Sequence, residues 1–216
     1  MKKIFICLSL VLSTALQAQN DKSLSIENDT LELNVKRVAV GVKLGMPNII
    51  GGSLEFILPV MDNHFAPYAD LSGLDIDPDT ETSVGLSYSE FGLNYYLNTK
   101  GKGLYFSAGL GNLTTDITFS NQNVSNGEGI SVNDGVGTIQ QKISTTNLKL
   151  GVKAGKRVYF RFELGYGLGN IPSDVKITAT SVSQGFKEEI SEPFPDLPGV
   201  SSGGVVIGNV GFGMAF

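Results

Sequence analysis

The sequence predicts an all-β protein that closes into an eight-stranded antiparallel up-and-down β-barrel. Large apolar residues alternate with a period of two along most of the chain after Val35, and no stretch shows a competing helical period of 3.6. Short connections between the predicted strands alternate with longer ones. The 216 residues also include 27 glycines, well above the usual share of about 7%. Such strands would have small residues on one face and large apolar residues on the other.

Residues 1–18 are predicted to form a secretory signal peptide. Lys2 and Lys3 precede an apolar run over residues 4–12, and small residues lead to a predicted cleavage site after Ala18. Cleavage there removes the only cysteine and leaves 14 Lys and Arg (16 minus 2) against 21 Asp and Glu, a net charge of −7. The polar residues 19–34 are predicted to be a periplasmic lead-in, with a folded plug as the alternative, and residues 35–216 to form the barrel.

Each predicted strand carries large apolar side chains at every second position. In the first strand every even-numbered position from Val38 to Met46 is large and apolar, and the odd-numbered positions are Ala, Gly, Lys and Gly. Residues 65–74 have the weakest alternation, and residues 84–90 change face before Phe91, which indicates either a β-bulge or a misassigned strand. The clearest alternating runs cover residues 38–46, 54–58, 91–97, 104–110, 147–153, 157–168 and 206–216, and the weaker candidate over residues 65–74 brings the strand count to eight.

The lengths of the connections indicate which end of the barrel faces outward. The second, fourth and sixth connections are short turns, whereas residues 120–138 and 181–203 are predicted to be long loops. The first connection, Pro47-Asn48, is a short exception at the long-loop end. Short turns at one end and long loops at the other are typical of outer-membrane barrels, whose long loops are extracellular. We therefore predict a transmembrane β-barrel.

The polar face of the strands carries charges of both signs, while the opposite face has almost none. A charge on a lipid-facing surface costs about 2–4 kcal/mol at the bilayer midplane, so we expect these side chains to point inward and to pair. The alternative is a soluble lipocalin-like barrel, in which the same charges would be solvated outside. Because the interior of an eight-stranded barrel is just filled by side chains, we predict a closed lumen. The predicted lumen charge network consists of Arg37, Lys43, Glu55, Glu90, Lys149, Lys153, Arg161 and Glu163.

The carboxyl terminus carries a more specific signal. Val210, Phe212, Met214 and Phe216 alternate with small residues up to the end of the chain. This run resembles the C-terminal assembly signal of Gram-negative outer-membrane proteins. Together with the signal peptide and the strand count, it makes the chain resemble the small outer-membrane β-barrel family that includes the OmpA transmembrane domain and OmpX.

That resemblance implies export to the outer membrane of a Gram-negative bacterium. It also implies contact with outer-membrane lipid and lipopolysaccharide, and recognition of the last strand by the barrel-assembly machinery. Because the sequence stops at this strand, we expect no C-terminal peptidoglycan-binding domain. The resemblance covers residues 35–216 by pattern and terminus rather than by a long motif.

We predict no catalytic residue, no cofactor and no metal site. Some small outer-membrane barrels modify lipids with a His and a Ser, but the single histidine, His64, lies in a predicted turn far from Ser53 on the neighbouring strand. Four carboxylates at alternate positions over residues 75–81 could suit Ca²⁺, although a solvated acidic loop is the simpler interpretation. An isoelectric point near 4.9 and 16 basic against 21 acidic residues disfavour binding to nucleic acid.

The sequence therefore predicts a protein that is not an enzyme, with a structural or surface-interaction role mediated by long extracellular loops and a possible extracellular partner. A narrow porin-like channel is the second hypothesis, and a lipid-modifying barrel enzyme is the third. A soluble barrel that binds an apolar ligand is the last.

Overall fold

The protein is described by a computed structural model that covers residues 35–125, 131–183, 185, 187–193 and 199–216. The predicted signal peptide and lead-in, residues 1–34, lie outside the described residues. Within those ranges, no helix has the length and apolar character needed to cross a membrane. The strands are β1 (Val38–Met46), β2 (Ile49–Phe56), β3 (Phe65–Ile76), β4 (Thr82–Tyr96), β5 (Gly103–Ser125), β6 (Ser131–Gly155), β7 (Val158–Leu168), β8 (Asp174–Ser181), β9 (Lys187–Pro193), β10 (Val200–Ser201) and β11 (Gly204–Ala215).

Eight of these strands form a closed antiparallel barrel, as the sequence predicted. Strands β1 to β7 pair in chain order, and β11 pairs with both β7 and β1. The closing pair places Ala39 opposite Ala215, and the Phe216 N–H donates to the Val38 carbonyl oxygen at 2.8 Å. Closure gives each of the eight strands a hydrogen-bonded neighbour on both sides, so the barrel has no edge strand.

The alternation in the sequence places large apolar side chains on the outside of this barrel. In β7, Val158, Phe160 and Phe162 are exposed, whereas Tyr159 and Arg161 are buried. A strand sends successive side chains to opposite faces, so the same parity rule separates an apolar exterior from a polar interior on all eight strands.

Strand β4 is continuous, without the β-bulge that was one of the two interpretations of residues 84–90. Leu86 pairs with Thr115 and Phe91 with Leu110 in one unbroken register along β4 and β5. The sequence pattern changes because the large apolar residues of β4 point inward before Ser89, as Val84 and Leu86 do, and outward after it, as Phe91 and Leu93 do. The strand itself does not shift. Register shifts occur between β5 and β6, beyond Phe119.

The two long connections contain more structure than the sequence indicated. Strand β5 runs to Ser125 and β6 begins at Ser131, so most of residues 120–138 belongs to strands rather than to a loop. The connection from β7 to β11 contains β8, β9 and β10. Strand β6 pairs with β7 through residues 146–155 and with β8 through residues 135–139.

The chain thus builds a β-sheet that continues past the closed barrel at the long-connection end. We call this end the loop end and the opposite end, with the short connections, the turn end. We call the continuing part the upper sheet and the closed eight-stranded part the barrel wall. The upper sheet consists of residues 72–89, 112–125, 131–144, 174–181 and 187–193.

Candidate functional site

The interior of the barrel wall holds charged side chains that are almost completely shielded from solvent. All of them are at most 4% exposed, and cations and anions are equal in number, so the charge of the set cancels. Seven of the eight residues named from the sequence lie here. The interior set is Lys43, Lys149, Lys153, Arg161, Glu55, Asp70, Glu90 and Glu163.

Glu55 organises the half of this set nearest the turn end. Arg161 Nη2 lies 2.6 Å from Glu55 Oε2, and the ammonium of Lys153 pairs with the other carboxylate oxygen. Asn94 Nδ2 donates to the same carboxylate at 2.7 Å, and the Tyr96 hydroxyl donates at 2.9 Å. A buried carboxylate with this many donors is satisfied in both charge and hydrogen bonding.

Glu163 organises the other half. Lys43 Nζ lies 3.0 Å from Glu163 Oε2 and 2.6 Å from Asp70 Oδ2, so that one ammonium bridges two carboxylates. The Tyr105 hydroxyl donates to Glu163 Oε1 at 2.6 Å. Arg161 Nη1 lies 4.0 Å from Glu163 Oε1, which links the two halves into one network.

Glu90 extends the network toward the loop end. Lys149 Nζ lies 2.9 Å from Glu90 Oε1, and the hydroxyls of Tyr68 and Tyr88 donate to the two carboxylate oxygens. Small residues make room for these rings: a Cβ at Gly109 would lie 2.5 Å from Tyr68 Oη and 2.8 Å from Glu90 Oε1. The inward glycines of the sequence therefore accommodate long polar side chains in a narrow lumen.

An apolar layer closes the lumen at the turn end. Ile57, Ala66, Tyr96 and Tyr105 form a buried cluster, with Val35 packed against it. The rings of Tyr96 and Tyr105 lie 4.9 Å apart between centroids. Side chains thus fill the lumen below the charge network.

Arg37 does not belong to the network, which corrects the set named from the sequence. It precedes β1 at the turn end, and its Nη1 donates to the Ile57 carbonyl oxygen at 3.3 Å and to Asn63 Oδ1 at 3.1 Å. Asp70, which pairs with Lys43, was not among the lumen residues predicted from the sequence. The signal was present: Ala66, Tyr68 and Asp70 share the inward parity of β3, but the outward Pro67 weakens the apolar alternation.

The candidate residues for lipid chemistry and for Ca²⁺ binding lie at separate places in the structure. The His64 ring stacks on Tyr95 with centroids 5.4 Å apart, whereas Ser53 is buried inside the barrel. Asp79 is exposed and accepts from the N–H groups of Glu81 at 2.8 Å and Thr82 at 2.6 Å. In the ranges covered by the structure, no three His, Cys, Asp or Glu side chains are grouped to hold a metal ion.

The N–H groups at this turn also set the acidity of Asp79. The hydrogen bond from the Glu81 N–H, followed by the bonds from Thr82, holds the pKa of the Asp79 carboxyl below its usual range, because donors favour the charged form. These contacts fix the β3–β4 turn. Both N–H groups donate to Oδ1 of the Asp79 carboxylate, and the Thr82 hydroxyl donates to Oδ2 at 3.2 Å.

The residues of the expected assembly signal lie on the outer surface. Val210, Phe212, Met214 and Phe216 are each between 41% and 57% exposed. Their backbone closes the barrel against β1, and their side chains contribute to the apolar exterior.

Comparison with known proteins gives the fold a precedent. No protein-family model matches the chain, and no curated protein matches it. Among solved structures, the chain is similar to a major outer membrane protein from Thermus thermophilus, with a TM-score of 0.52 and 12% sequence identity over 83% of this chain and 98% of that chain. It is also similar to CarO from Acinetobacter baumannii, with a TM-score of 0.44 and 16% identity over 83% of this chain and 98% of that chain. The first similarity shows that the chain has the fold of an outer-membrane β-barrel, while kinship with the OmpA and OmpX type stays a prediction.

Proposed function

We propose that this protein is an integral outer-membrane barrel with a closed lumen, and that it acts at the cell surface through its upper sheet in a structural or interaction role. The observation that carries the proposal is the placement of polarity. A balanced charge network fills the interior, and large apolar side chains cover the exterior of the barrel wall. This is the arrangement that a hydrocarbon environment requires.

The height of the apolar exterior supports the placement in a bilayer. Outward apolar residues run along all eleven residues of β7, from Val158 to Leu168. At about 3.3 Å per residue and a tilt of about 40°, such a strand spans roughly the 25 Å apolar band of outer-membrane barrels. Lipid, including lipopolysaccharide, is then the surrounding partner, and the exposed residues of β11 are available to the assembly machinery.

The closed lumen favours a structural or interaction role over transport. Five tyrosine rings are buried in the interior together with the charge network, and the apolar cluster around Ile57 fills the turn end. A permeating ion would have to displace paired side chains. The five rings are those of Tyr68, Tyr88, Tyr96, Tyr105 and Tyr159.

One observation favours the narrow channel as the second candidate. Several buried polar atoms of the interior have no hydrogen-bond partner in the part of the chain that the structure describes, among them both polar side-chain atoms of Asn48, Ser53 Oγ and Asp70 Oδ1. Buried polar atoms of this kind are commonly bridged by water. A chain of such waters from Asn48 toward Asp70 would give the lumen a hydrated section near the loop end.

Two measurements on the refolded chain without residues 1–18 test the proposal. Electrophoresis of unboiled and boiled samples should show a faster-migrating unboiled band, which reports a detergent-stable barrel. In planar bilayers the inserted protein should show no conductance above background. Stable single-channel steps would favour the porin-like alternative, and solubility in plain buffer without a band shift would overturn the membrane placement.

A further inference from the structure

The outer surface of β4 to β6 changes from mainly apolar to mainly polar where the barrel wall meets the upper sheet. In one cross-strand row on the exterior of the barrel wall, Phe91 pairs with Leu110, and both side chains are exposed. Two residues further along the strands, Ser89 pairs with Asn112 and Asn112 pairs with Ser144, while the exposed Leu71 opposite Ser89 is the apolar residue of this row. Two residues are about 7 Å of strand. If the barrel lies in a membrane, the hydrocarbon boundary falls between these two rows.

A cavity of about 560 Å³ opens on this boundary. Hydroxyl, amide and ammonium groups contribute to its wall, and Gly73 leaves part of it open, since a Cβ there would meet nothing within 4 Å. The outward-facing polar residues of its wall are Ser87, Ser89, Asn112, Thr114 and Lys142.

Among the residues that the structure describes, Lys142 is the basic residue in the wall of this cavity, and none of them in the wall is a carboxylate. It is exposed, and no carboxylate among the residues covered by the structure lies within ion-pair distance of its ammonium. Thr114 lies directly opposite Lys142, and Ser87 lies opposite Thr114, so hydroxyls and the ammonium form one continuous row. An unpaired ammonium beside several hydroxyls suits a phosphate group attached to a sugar.

We infer that this boundary cavity binds the phosphorylated sugar headgroup of an outer-leaflet glycolipid, whose acyl chains lie on the apolar surface around Phe91 and Leu110. The inference rests on the proposed membrane placement. Lys142 and the row of hydroxyls contact the headgroup, and the exposed side chains of Phe91 and Leu110 contact the chains. A free phosphate would offer the same chemistry to Lys142 but would make no use of the apolar row.

The test measures how lipopolysaccharide stabilises the purified barrel in detergent, using the temperature at which the faster-migrating band is lost. Titrated lipopolysaccharide should raise this temperature in the unmutated protein, and inorganic phosphate at the same phosphate concentration should not. Gly73→Leu, which fills the cavity, and Lys142→Glu should each weaken the apparent affinity by about tenfold, the scale of one charge-assisted contact.

Two matched variants serve as controls. Gly208→Leu adds the same side chain to the exterior of β11, where a Cβ would make an ordinary 3.7 Å contact with Leu164, and Lys156→Glu reverses an exposed charge at the turn end. Both should retain the unmutated affinity. Equal weakening by the controls would assign the effect to the whole surface, and stabilisation by inorganic phosphate alone would assign the cavity to a free anion. A detergent-stable barrel that lipopolysaccharide does not stabilise would overturn the inference alone, whereas absence of the faster band would overturn the proposed function.

Discussion

The barrel wall and the upper sheet share strands but place their polar and apolar side chains on opposite faces. In the barrel wall, β6 directs Lys149 and Lys153 inward and Leu148 and Leu150 outward. In the upper sheet, the same strand with the same parity directs Ile139 inward and Gln140 outward. The backbone geometry does not change between the two regions. What changes is the medium expected outside, hydrocarbon below the boundary and water above it.

The inward face of the upper sheet shows what replaces the charge network there. Branched apolar residues on neighbouring strands line up in a single cross-strand row, in which direct opposition places Cβ atoms about 5 Å apart. Its inner residues are half-buried and its two end residues, Ile76 and Ile190, are exposed, so the row forms a partly covered apolar strip. The row consists of Ile76, Val84, Ile117, Ile139, Ile177 and Ile190.

The largest difference between the two regions should appear when a charge is removed from each. Arg161→Met takes a cation away from Glu55 and Glu163 in the buried network, and breaking such a pair costs about 3–5 kcal/mol. Lys142→Met removes an exposed, unpaired cation of the upper sheet and should leave stability unchanged. Denaturant unfolding in lipid vesicles, followed by the loss of the faster-migrating band, measures both. Similar small effects for the two variants would contradict the description of the lumen as a tightly coupled network.

Adding a charge to the exterior should separate the two regions at a single strand. Leu150→Lys places an ammonium on the outward face of the barrel wall, which costs about 2–4 kcal/mol near the bilayer midplane. Gln140→Lys makes the corresponding change on the outward face of the upper sheet, ten residues earlier in β6, and should be neutral because the site is hydrated. The free energy of unfolding from vesicles compares the two directly. A neutral Leu150→Lys variant would show that this face is not in contact with hydrocarbon.

Removing an apolar side chain from the upper sheet should affect that region alone. Ile177 lies opposite Ile139 and Ile190, and Ile177→Ala should destabilise the β8–β9 hairpin by about 1 kcal/mol, since the site is only half-buried. Amide exchange should become faster in β8 and β9 and stay unchanged in β7. Lys176→Ala, on the outward face of the same strand, is the control and should leave exchange unaltered. Faster exchange throughout β7 would mean that the hairpin and the barrel wall unfold together.

The sequence could predict the barrel because both faces of the wall have uniform character. Strands such as β7 alternate without interruption, so parity alone places Arg161 and Glu163 inside. The ion-pair partners within the lumen could not be predicted from the sequence, because a pair such as Lys43 and Asp70 depends on the register and tilt of separate strands. The lead-in and the signal peptide, residues 1–34, stay predictions.

The upper sheet was harder to predict for a physical reason. Its outward face is mostly Ser, Thr, Asn and Gln with scattered charges such as Asp116 and Lys142, and its inward face is only partly apolar, so the alternation over residues 112–145 is weak. The exchange of polarity near Ser89 resembled a bulge for the same reason. Pairing of β8 with β6 joins residues about forty positions apart, such as Ile139 and Ile177, and local patterns carry no information about such a contact.

The smallest expected effect is a pH dependence confined to the β3–β4 turn of the upper sheet. The Glu81 and Thr82 N–H groups stabilise the ionised Asp79 carboxylate and lower its pKa. Because the folded-state pKa lies below the unfolded value of about 3.9, this contribution is complete above the unfolded value and is lost as the pH falls through the folded one. Amide exchange at Glu81 and Thr82, corrected for the intrinsic pH dependence of exchange, should therefore show less protection in acid. Asp79→Asn keeps an acceptor oxygen but cannot ionise, so this acid-dependent loss should disappear in the variant while the barrel wall exchanges as before. Persistence of the loss in Asp79→Asn would assign it to another group of the turn.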